Sequence, residues 1–160
     1  MIVYLNGEYV NEKRARIDPS DRGFLLGDGL FETVRVYSGK PFALDRHLDR
    51  LADGARKLEI AGLPDIEKLG EIARAVLSKN GLKSARLRIT VTRGEEGCDR
   101  PTLLVKAAEF FGYPERLYAS GASAISLAGY RLSSATFSMI KSTSFLASVL
   151  ATLAAKRAGA

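Results

Sequence analysis

The sequence has few of the residues on which several common kinds of functional site depend. It contains one cysteine, Cys98, so a disulfide framework within the chain is excluded and a reducing compartment is favoured. It contains one histidine, His47, which excludes a histidine metal cluster, and no CxxC or comparable ligand spacing occurs. We therefore expect neither a disulfide-rich protein nor a metal site.

Long hydrophobic runs and a secretory leader are also missing from the sequence. The longest weakly interrupted apolar stretch, residues 145–155, is about half as long as a helix that spans a bilayer. The first ten residues have no basic segment and include the acidic Glu8, which argues against a signal peptide. At 160 residues, 46% hydrophobic and 26% charged, the chain has the composition of a globular protein. We expect a cytoplasmic protein with no membrane association.

Acidic residues are absent from the last part of the chain. Of the net charge of +6, residues 1–115 contribute +1 and residues 116–160, which contain no acid, contribute +5. The basic residues there are scattered, and no aromatic residues alternate with them as nucleic-acid stacking would require. The segment is either a phosphate-binding region or half of a domain whose acidic residues lie in sequence that is absent here. We expect no nucleic-acid partner.

The hydrophobic pattern changes from strands to helices and back to strands. Asn6-Gly7 between two alternating runs predicts a β-hairpin. Asp45 and Asp65 are each placed to cap a helix with a 3.6-residue apolar period. This order predicts an α+β fold, in which two helices pack on one face of an antiparallel sheet. The other predicted strands cover residues 15–17, 30–37, 41–44, 85–92 and 102–108.

Tyr113-Pro114 has the character of a domain boundary. Residues 1–113 are predicted to form a small α+β domain, and residues 114–160 the first part of a larger α/β domain. In that second part we expect a strand at 119–127 and a helix at 144–157, capped by the Ser/Thr run before it.

The side chains that could carry chemistry are ambiguous when taken one at a time. Lys141 lies after Met139-Ile140 and just before the Ser/Thr run that precedes the last predicted helix, where poor hydration and the nearby helix N-terminus favour the uncharged, imine-forming amine. Arg50 follows His47 by three residues and could present its guanidinium fork to a phosphate. Arg86 and Arg88 share one face of a strand, which suits an anionic ligand. Simple exposure to solvent explains each of them as well.

Taken together and in order, these segments resemble the class IV, fold-type IV pyridoxal-phosphate enzymes. The segments are DRGFLLGDGLFETVRVY at 21–37, HLDRL at 47–51, ITVTRG at 89–94 and IKSTSFLASVLA at 140–151. That family includes branched-chain and D-amino-acid aminotransferases and aminodeoxychorismate lyase. The similarity covers essentially the whole chain, and its first segment, with the H..RL that follows, is the most specific.

The resemblance implies a pyridoxal 5′-phosphate cofactor and roles for six residues. Lys141 matches the lysine that forms the internal aldimine and moves the proton of the substrate α-carbon. Arg50 matches the arginine that binds the cofactor phosphate. The substrate-binding positions that the resemblance implies are Phe31 and Thr33 in the pocket, Arg88 toward a carboxylate, and Arg100 in a loop that carries a second carboxylate-binding arginine in some relatives.

The sequence departs from the family pattern in two places. Phe145 stands where some relatives have a tyrosine near the cofactor phenol oxygen. Family members also continue well beyond this sequence, and their later part supplies an acid for the pyridine nitrogen, a second phosphate contact and much of the pocket. The chain is therefore expected to be an N-terminal portion, with the remainder absent or on a separate C-terminal polypeptide. Relatives are homodimers, and a homodimer is expected here.

The leading function is a pyridoxal-phosphate-dependent aminotransferase acting between an amino acid and a 2-oxo acid. The alternative is aminodeoxychorismate lyase, which forms 4-aminobenzoate and pyruvate; Phe31-Glu32-Thr33 and the Arg86/Arg88 pair favour it, and the lack of an RGY-type loop after ITVTRG disfavours it. A further alternative is a non-catalytic folding or dimerisation unit. Glu32 and His47 either belong to a proton network or brace the fold, and we favour bracing.

Overall fold

The computed structural model describes residues 1–127 and 140–160, and these residues form an antiparallel sheet of six strands. The spatial order of the strands is β2-β1-β6-β5-β3-β4. The strands are β1 (Ile2–Leu5), β2 (Glu8–Asn11), β3 (Gly29–Tyr37), β4 (Lys40–Pro41), β5 (Ala85–Thr92) and β6 (Thr102–Glu109).

Helices α2 and α3 cover one face of this sheet, which confirms the predicted α+β architecture. Along β5, Leu87, Ile89 and Val91 are fully buried beneath them, and the residues between these three face the other way. The described helices are α1 (Arg22–Leu26), α2 (Leu44–Lys57), α3 (Ile66–Lys79), α4 (Glu115–Ser120) and α5 (Leu146–Arg157), with a 3-10 turn at Glu12–Arg14.

Local sequence signals correctly predicted several element boundaries. Asn6 and Gly7 both have positive φ, 48° and 105°, which is the conformation of the two-residue turn that suits the twist of a hairpin. Asp65 caps α3 by accepting a hydrogen bond from the Lys68 amide at 2.7 Å. Strand β5 covers Ala85–Thr92, the range its alternation predicted.

Three expectations for the first 113 residues were wrong. Residues 15–17 are not a strand, because the Ala15 amide closes the preceding turn by donating to the Asn11 and Glu12 carbonyls. Asp45 does not cap α2: the cap position is Ala43, which is left-handed at φ 48° and makes no capping hydrogen bond through its side chain. The strand expected at 41–44 is limited to Lys40–Pro41, since the chain turns at Ala43 into the helix.

The part of the chain after residue 113 also differs from expectation. Residues 119–127 are not a strand: α4 extends to Ser120, and no described strand pairs with residues 121–127. Helix α5 forms as expected, but it begins at Leu146, and no side chain caps it. Residues 128–139, which include Arg131 and Met139, lie outside the described residues.

None of the described helices is both long and apolar enough to cross a membrane.

Candidate active site

Strand β3 is the scaffold of the site because its alternate residues face opposite sides of the sheet. Leu30 belongs to the core beneath the helices, and Glu32 contacts α2 from the same face. Phe31 and Thr33 face the side of the sheet that α2 and α3 leave uncovered. The single strand therefore supplies one acidic group to the helix side and one aromatic ring to the open side.

The segment that carries Lys141 is paired with the edge of β3. The Phe31 amide donates to the Lys141 carbonyl at 3.1 Å, and the Thr143 amide donates to the Gly29 carbonyl at 2.8 Å. Between them, Ser142 forms an antiparallel bridge with Leu30. Directly opposed residues in an antiparallel pair present their side chains on the same face, so the Lys141 side chain joins that of Phe31 on the open face.

Three side chains converge on the Phe31 ring. The Lys141 Nζ lies 4.5 Å from the ring centroid, and the Arg88 guanidinium carbon lies 3.8 Å from it. The Phe145 ring meets Phe31 edge-on at 5.3 Å. Burial lowers the pKa of Arg88, whose Nε donates to Thr90 Oγ1 at 3.2 Å. Two basic side chains beside one aromatic ring form a surface that suits a carboxylate ligand.

On the helix side, Glu32 binds both polar residues of the HLDRL motif. Its carboxylate is 1% exposed and accepts hydrogen bonds from Arg50 Nε and Nη2, both at 2.6 Å. It also lies 2.7 Å from His47 Nδ1. Burial acts to raise the Glu32 pKa, but the hydrogen bonds and charges of Arg50 and His47 outweigh it, so the pKa is lowered and the carboxylate stays ionised.

The Glu32 contact fixes the direction in which Arg50 can bind anything else. Because Nε and Nη2 both face Glu32, the planar guanidinium directs its Nη1 group away from that carboxylate. The Arg50 side chain is 55% exposed. The hydrogen bonds that Arg50 donates to Glu32 also raise the Arg50 pKa, so the guanidinium remains a cation.

The structure brings most, but not all, of the predicted site residues together. Thr33 pairs with Arg88 across β3 and β5, so both lie close to the Phe31 and Lys141 group. Arg100 is exposed in the loop between β5 and β6, where its carbonyl packs against Gly94. Among the described contacts, none joins Arg100 to Phe31 or Lys141.

The sequence interpretation missed the residues that hold the Lys141 segment in place. Thr143 Oγ1 and Ser144 Oγ donate to the Gly27 carbonyl at 2.8 and 3.0 Å. The next residue, Asp28, accepts from Arg93 Nε at 2.8 Å and Arg22 Nε at 3.1 Å. The glycines of the GDG motif were the available signal, because glycine permits a close approach of the backbone, but they do not indicate which segment packs there.

Most of the chain is similar to known proteins of one family. A model of the amino-transferase class IV family matches residues 29–160. A protein of Methanocaldococcus jannaschii assigned as a branched-chain-amino-acid aminotransferase is 36% identical over 167 residues, which cover 99% of this chain and 57% of that protein. The aminodeoxychorismate lyase of Bacillus subtilis is 37% identical over 112 residues, covering 64% of this chain and 38% of the lyase.

A solved structure shows the same fold. The PLP-bound form of a hypothetical aminotransferase from Mycobacterium tuberculosis superposes with a TM-score of 0.83 at 25% identity, covering 100% of this chain and 60% of that one. The chain thus spans little more than half the length of proteins that it matches over nearly all its own residues.

Proposed function

Since the chain belongs to the amino-transferase class IV family, we propose that it carries the reactive lysine of a pyridoxal-phosphate-dependent enzyme that transfers an amino group between an amino acid and a 2-oxo acid. The observation that carries this proposal is the placement of Lys141. Backbone pairing with β3 holds this residue opposite Phe31, with its amine 4.5 Å from the ring centroid.

The described residues fit a phosphorylated aldehyde cofactor. The aldehyde requires an amine that is reachable yet held in place, and Lys141 is partly exposed on a segment that is hydrogen-bonded to β3. The phosphate requires a cation with unused donors, and Arg50 has its Nη1 group directed away from Glu32. When bound, pyridoxal phosphate supplies an electron-accepting ring that stabilises negative charge on the substrate α-carbon.

The proposed work of Lys141 is proton transfer at the substrate α-carbon. In its uncharged form the Nζ atom takes the proton from that carbon and later returns one. The pairing of residues 141–143 with β3 limits where the amine can reach. Holding a catalytic group next to the atom with which it reacts accounts for much of the rate acceleration in such reactions.

The proposed substrate contacts lie on the same face of the sheet. Arg88 binds the substrate carboxylate, and Phe31 and Thr33 line the pocket beside it. Support for this comes from the 3.8 Å approach of Arg88 to the Phe31 ring and from the pairing of Thr33 with Arg88. No described contact joins Arg100 to Phe31 or Lys141, so in this proposal Arg100 would serve the site of a neighbouring subunit. We accordingly propose a homodimer in the cytoplasm, with small amino and oxo acids as its substrates.

We further propose that residues 1–113 form the small domain of this enzyme and that residues 114–160 begin the larger one. The division is supported by the change from the continuous sheet to the separate helices α4 and α5 after β6.

Aminodeoxychorismate lyase is the second candidate, supported by the B. subtilis relative. The Arg86/Arg88 pair supports it less in three dimensions than in sequence. The Arg86 guanidinium lies 4.2 Å from the Phe110 ring, whereas Arg88 lies over Phe31. The two guanidinium groups thus lie over different aromatic rings and do not form one binding site for a ligand.

The first test is chemical trapping of Lys141. The 160-residue chain is incubated with pyridoxal phosphate, reduced with borohydride and mapped by peptide mass spectrometry. We expect the adduct at Lys141 in clear excess over exposed lysines such as Lys156, and its loss in Lys141→Ala. Lys156→Ala is the matched control and should leave the Lys141 adduct unchanged. An adduct spread evenly over surface lysines would contradict the cofactor site and favour a non-catalytic unit.

A second test separates the two reactions. The protein is supplied with aminodeoxychorismate alone, and separately with an amino donor and 2-oxoglutarate. Consumption of the oxo acid supports the aminotransferase. Release of pyruvate from aminodeoxychorismate without consumption of an oxo acid would replace it with the lyase.

A further inference from the structure

The GDG motif, Gly27 to Gly29, contacts the Lys141 segment at two backbone carbonyls. The Gly27 carbonyl accepts hydrogen bonds from Thr143 Oγ1 and Ser144 Oγ, and the Gly29 carbonyl accepts one from the Thr143 amide. Thr143 is therefore joined to this motif through both its backbone and its side chain.

The conformation of the motif is what makes this contact possible. Gly27 is left-handed, with φ 69°, and ends α1 with its carbonyl directed at residues 143 and 144. A Cβ atom at Gly27 would lie 2.7 Å from Ser144 Oγ, and one at Gly29 would lie 3.1 Å from Thr143 Oγ1 and 2.6 Å from the Val91 carbonyl. Both glycines thus leave space that the Lys141 segment and β5 occupy.

The motif is itself anchored, so it can act as a fixed support. Asp28 binds Arg22 and Arg93 through its carboxylate. Arg93 in turn donates to the Leu58 carbonyl at 2.7 Å, at the C-terminal end of α2. The chain of contacts runs from α2 through Arg93 and Asp28 to the carbonyls that hold Thr143.

We propose that Thr143, with Ser144 beside it, is a positioning residue for Lys141, and that the GDG motif is the support against which it holds the lysine. The inference rests on the proposed function, in which Lys141 is the reactive lysine. Thr143 has no role in the chemistry itself; it fixes the backbone two residues from the amine, and through it the height of the amine over Phe31.

The test uses Thr143→Val, which keeps the shape of the side chain and removes its hydroxyl donor. Thr143→Ser restores the donor. Thr152→Val is the matched control, because Thr152 Oγ1 also donates to a backbone carbonyl, that of Ser148 in α5, and this bond does not touch the GDG motif.

The first measurement is amide hydrogen exchange and needs no cofactor. The amides of Phe31 and Thr143 donate across the Lys141 segment, so Thr143→Val should speed their exchange by about five-fold, the factor that one net hydrogen bond represents. Exchange at Leu87 in the core of β5 should not change. Thr143→Ser should return both rates toward the original values, and Thr152→Val should leave them unaltered.

The second measurement is the initial rate of borohydride-trapped adduct formation at Lys141, taken as a ratio to Lys156 in the same sample. We expect this ratio to fall several-fold in Thr143→Val and to recover in Thr143→Ser. Unchanged exchange and an unchanged ratio in Thr143→Val would overturn the proposal, as would an equal effect at Leu87. If the original chain forms no selective adduct at Lys141, the proposed function fails, whereas the exchange experiment still decides whether Thr143 holds the segment.

Discussion

Glu32 holds Arg50 by two hydrogen bonds of 2.6 Å, and the carboxylate that makes them is 1% exposed. A guanidinium bound in this way has lost its freedom to rotate, so its remaining donors point in one direction before any ligand arrives. The sequence left open whether Glu32 and His47 form a proton network or brace the fold. The two hydrogen bonds to Arg50 favour the bracing interpretation, which stays a prediction.

Replacing Glu32 with Gln should therefore weaken both the fold and the binding of a phosphorylated cofactor. The amide keeps one acceptor but turns an N–H group toward the donors of Arg50, at a cost of about 2 kcal/mol in unfolding free energy. We expect the Kd for pyridoxal phosphate, measured by absorbance titration, to rise by about ten-fold or more. Asp53→Asn breaks the exposed pairs with Arg56 and Lys57 and should alter the Kd little.

The stability of the protein should fall on acidification, partly through Glu32. Burial raises the pKa of this carboxyl, but the lowering by Arg50 and His47 is larger than the rise. The net pKa is therefore below the ordinary 4.5. A group whose pKa is lowered on folding stabilises the protein above its unfolded pKa and loses that contribution as pH falls through the folded pKa. The difference in urea midpoint between the original protein and Glu32→Gln should thus be full at pH 7 and shrink below about pH 4.5. A difference that grows with acid would contradict this assignment.

Helix capping offers a direct comparison of the sequence interpretation with the structure. Asp65→Ala removes the hydrogen bond to the Lys68 amide and should lower the unfolding free energy by about 1 kcal/mol. Asp45→Ala should cost about 0.3 kcal/mol, because Asp45 lies within the first turn of α2 and only its charge acts on the helix dipole. Equal losses in chemical denaturation would mean that Asp45 caps α2 after all.

Gly27 and Gly81 form a matched pair, since both have a left-handed backbone, with φ 69° and 62°. Gly81→Ala meets no atom within 4 Å and should cost about 1 kcal/mol from backbone strain alone. Gly27→Ala adds a contact with Ser144 and should cost about 2–3 kcal/mol. Borohydride trapping should show a smaller Lys141 adduct in Gly27→Ala only. The same adduct yield in both variants would show that Gly27 does not support the lysine.

Substitutions of Arg88 and Arg86 distinguish a specific contact with a carboxylate from a general effect of positive charge. Both lie on one face of β5, but only Arg88 lies over Phe31. In the amino-acid half-reaction followed by absorbance, Arg88→Met should raise the substrate KM by about ten-fold or more, the loss of one charge-assisted contact. Arg86→Met should change it by less than about two-fold. A similar rise in both would indicate a field effect instead of a binding contact.

The sequence was most informative where a structure depends on neighbouring residues. The hairpin at Asn6-Gly7, the Asp65 cap and strand β5 each follow from a local pattern. The prediction from sequence was wrong where the fold uses a different residue from the one that the local pattern favours. Asp45 has the right residue type for a cap, but the cap position is the left-handed Ala43, two positions earlier.

The candidate site was predicted in its residues but not in its geometry. Lys141, Arg50, Phe31 and Arg88 were named from the family resemblance, and the structure places two of them, Lys141 and Arg88, beside the ring of a third, Phe31. No local signal indicates that Thr143 binds Gly27, since the two are 116 positions apart. Contacts of this kind depend on the folded sheet and become visible only with it.

The same separation bears on the order in which the protein assembles. The pairs β3–β5 and β5–β6 are complete within residues 29–109, whereas Lys141 reaches β3 only through a closure spanning more than a hundred residues. Because long closures are slow relative to local pairing, we expect the sheet to form before the Lys141 segment pairs with β3. The amine that we propose as reactive then joins an edge that has already formed. An aldehyde cofactor present during folding would therefore meet Lys141 either before or after its segment pairs with β3. In both cases the sheet has already formed.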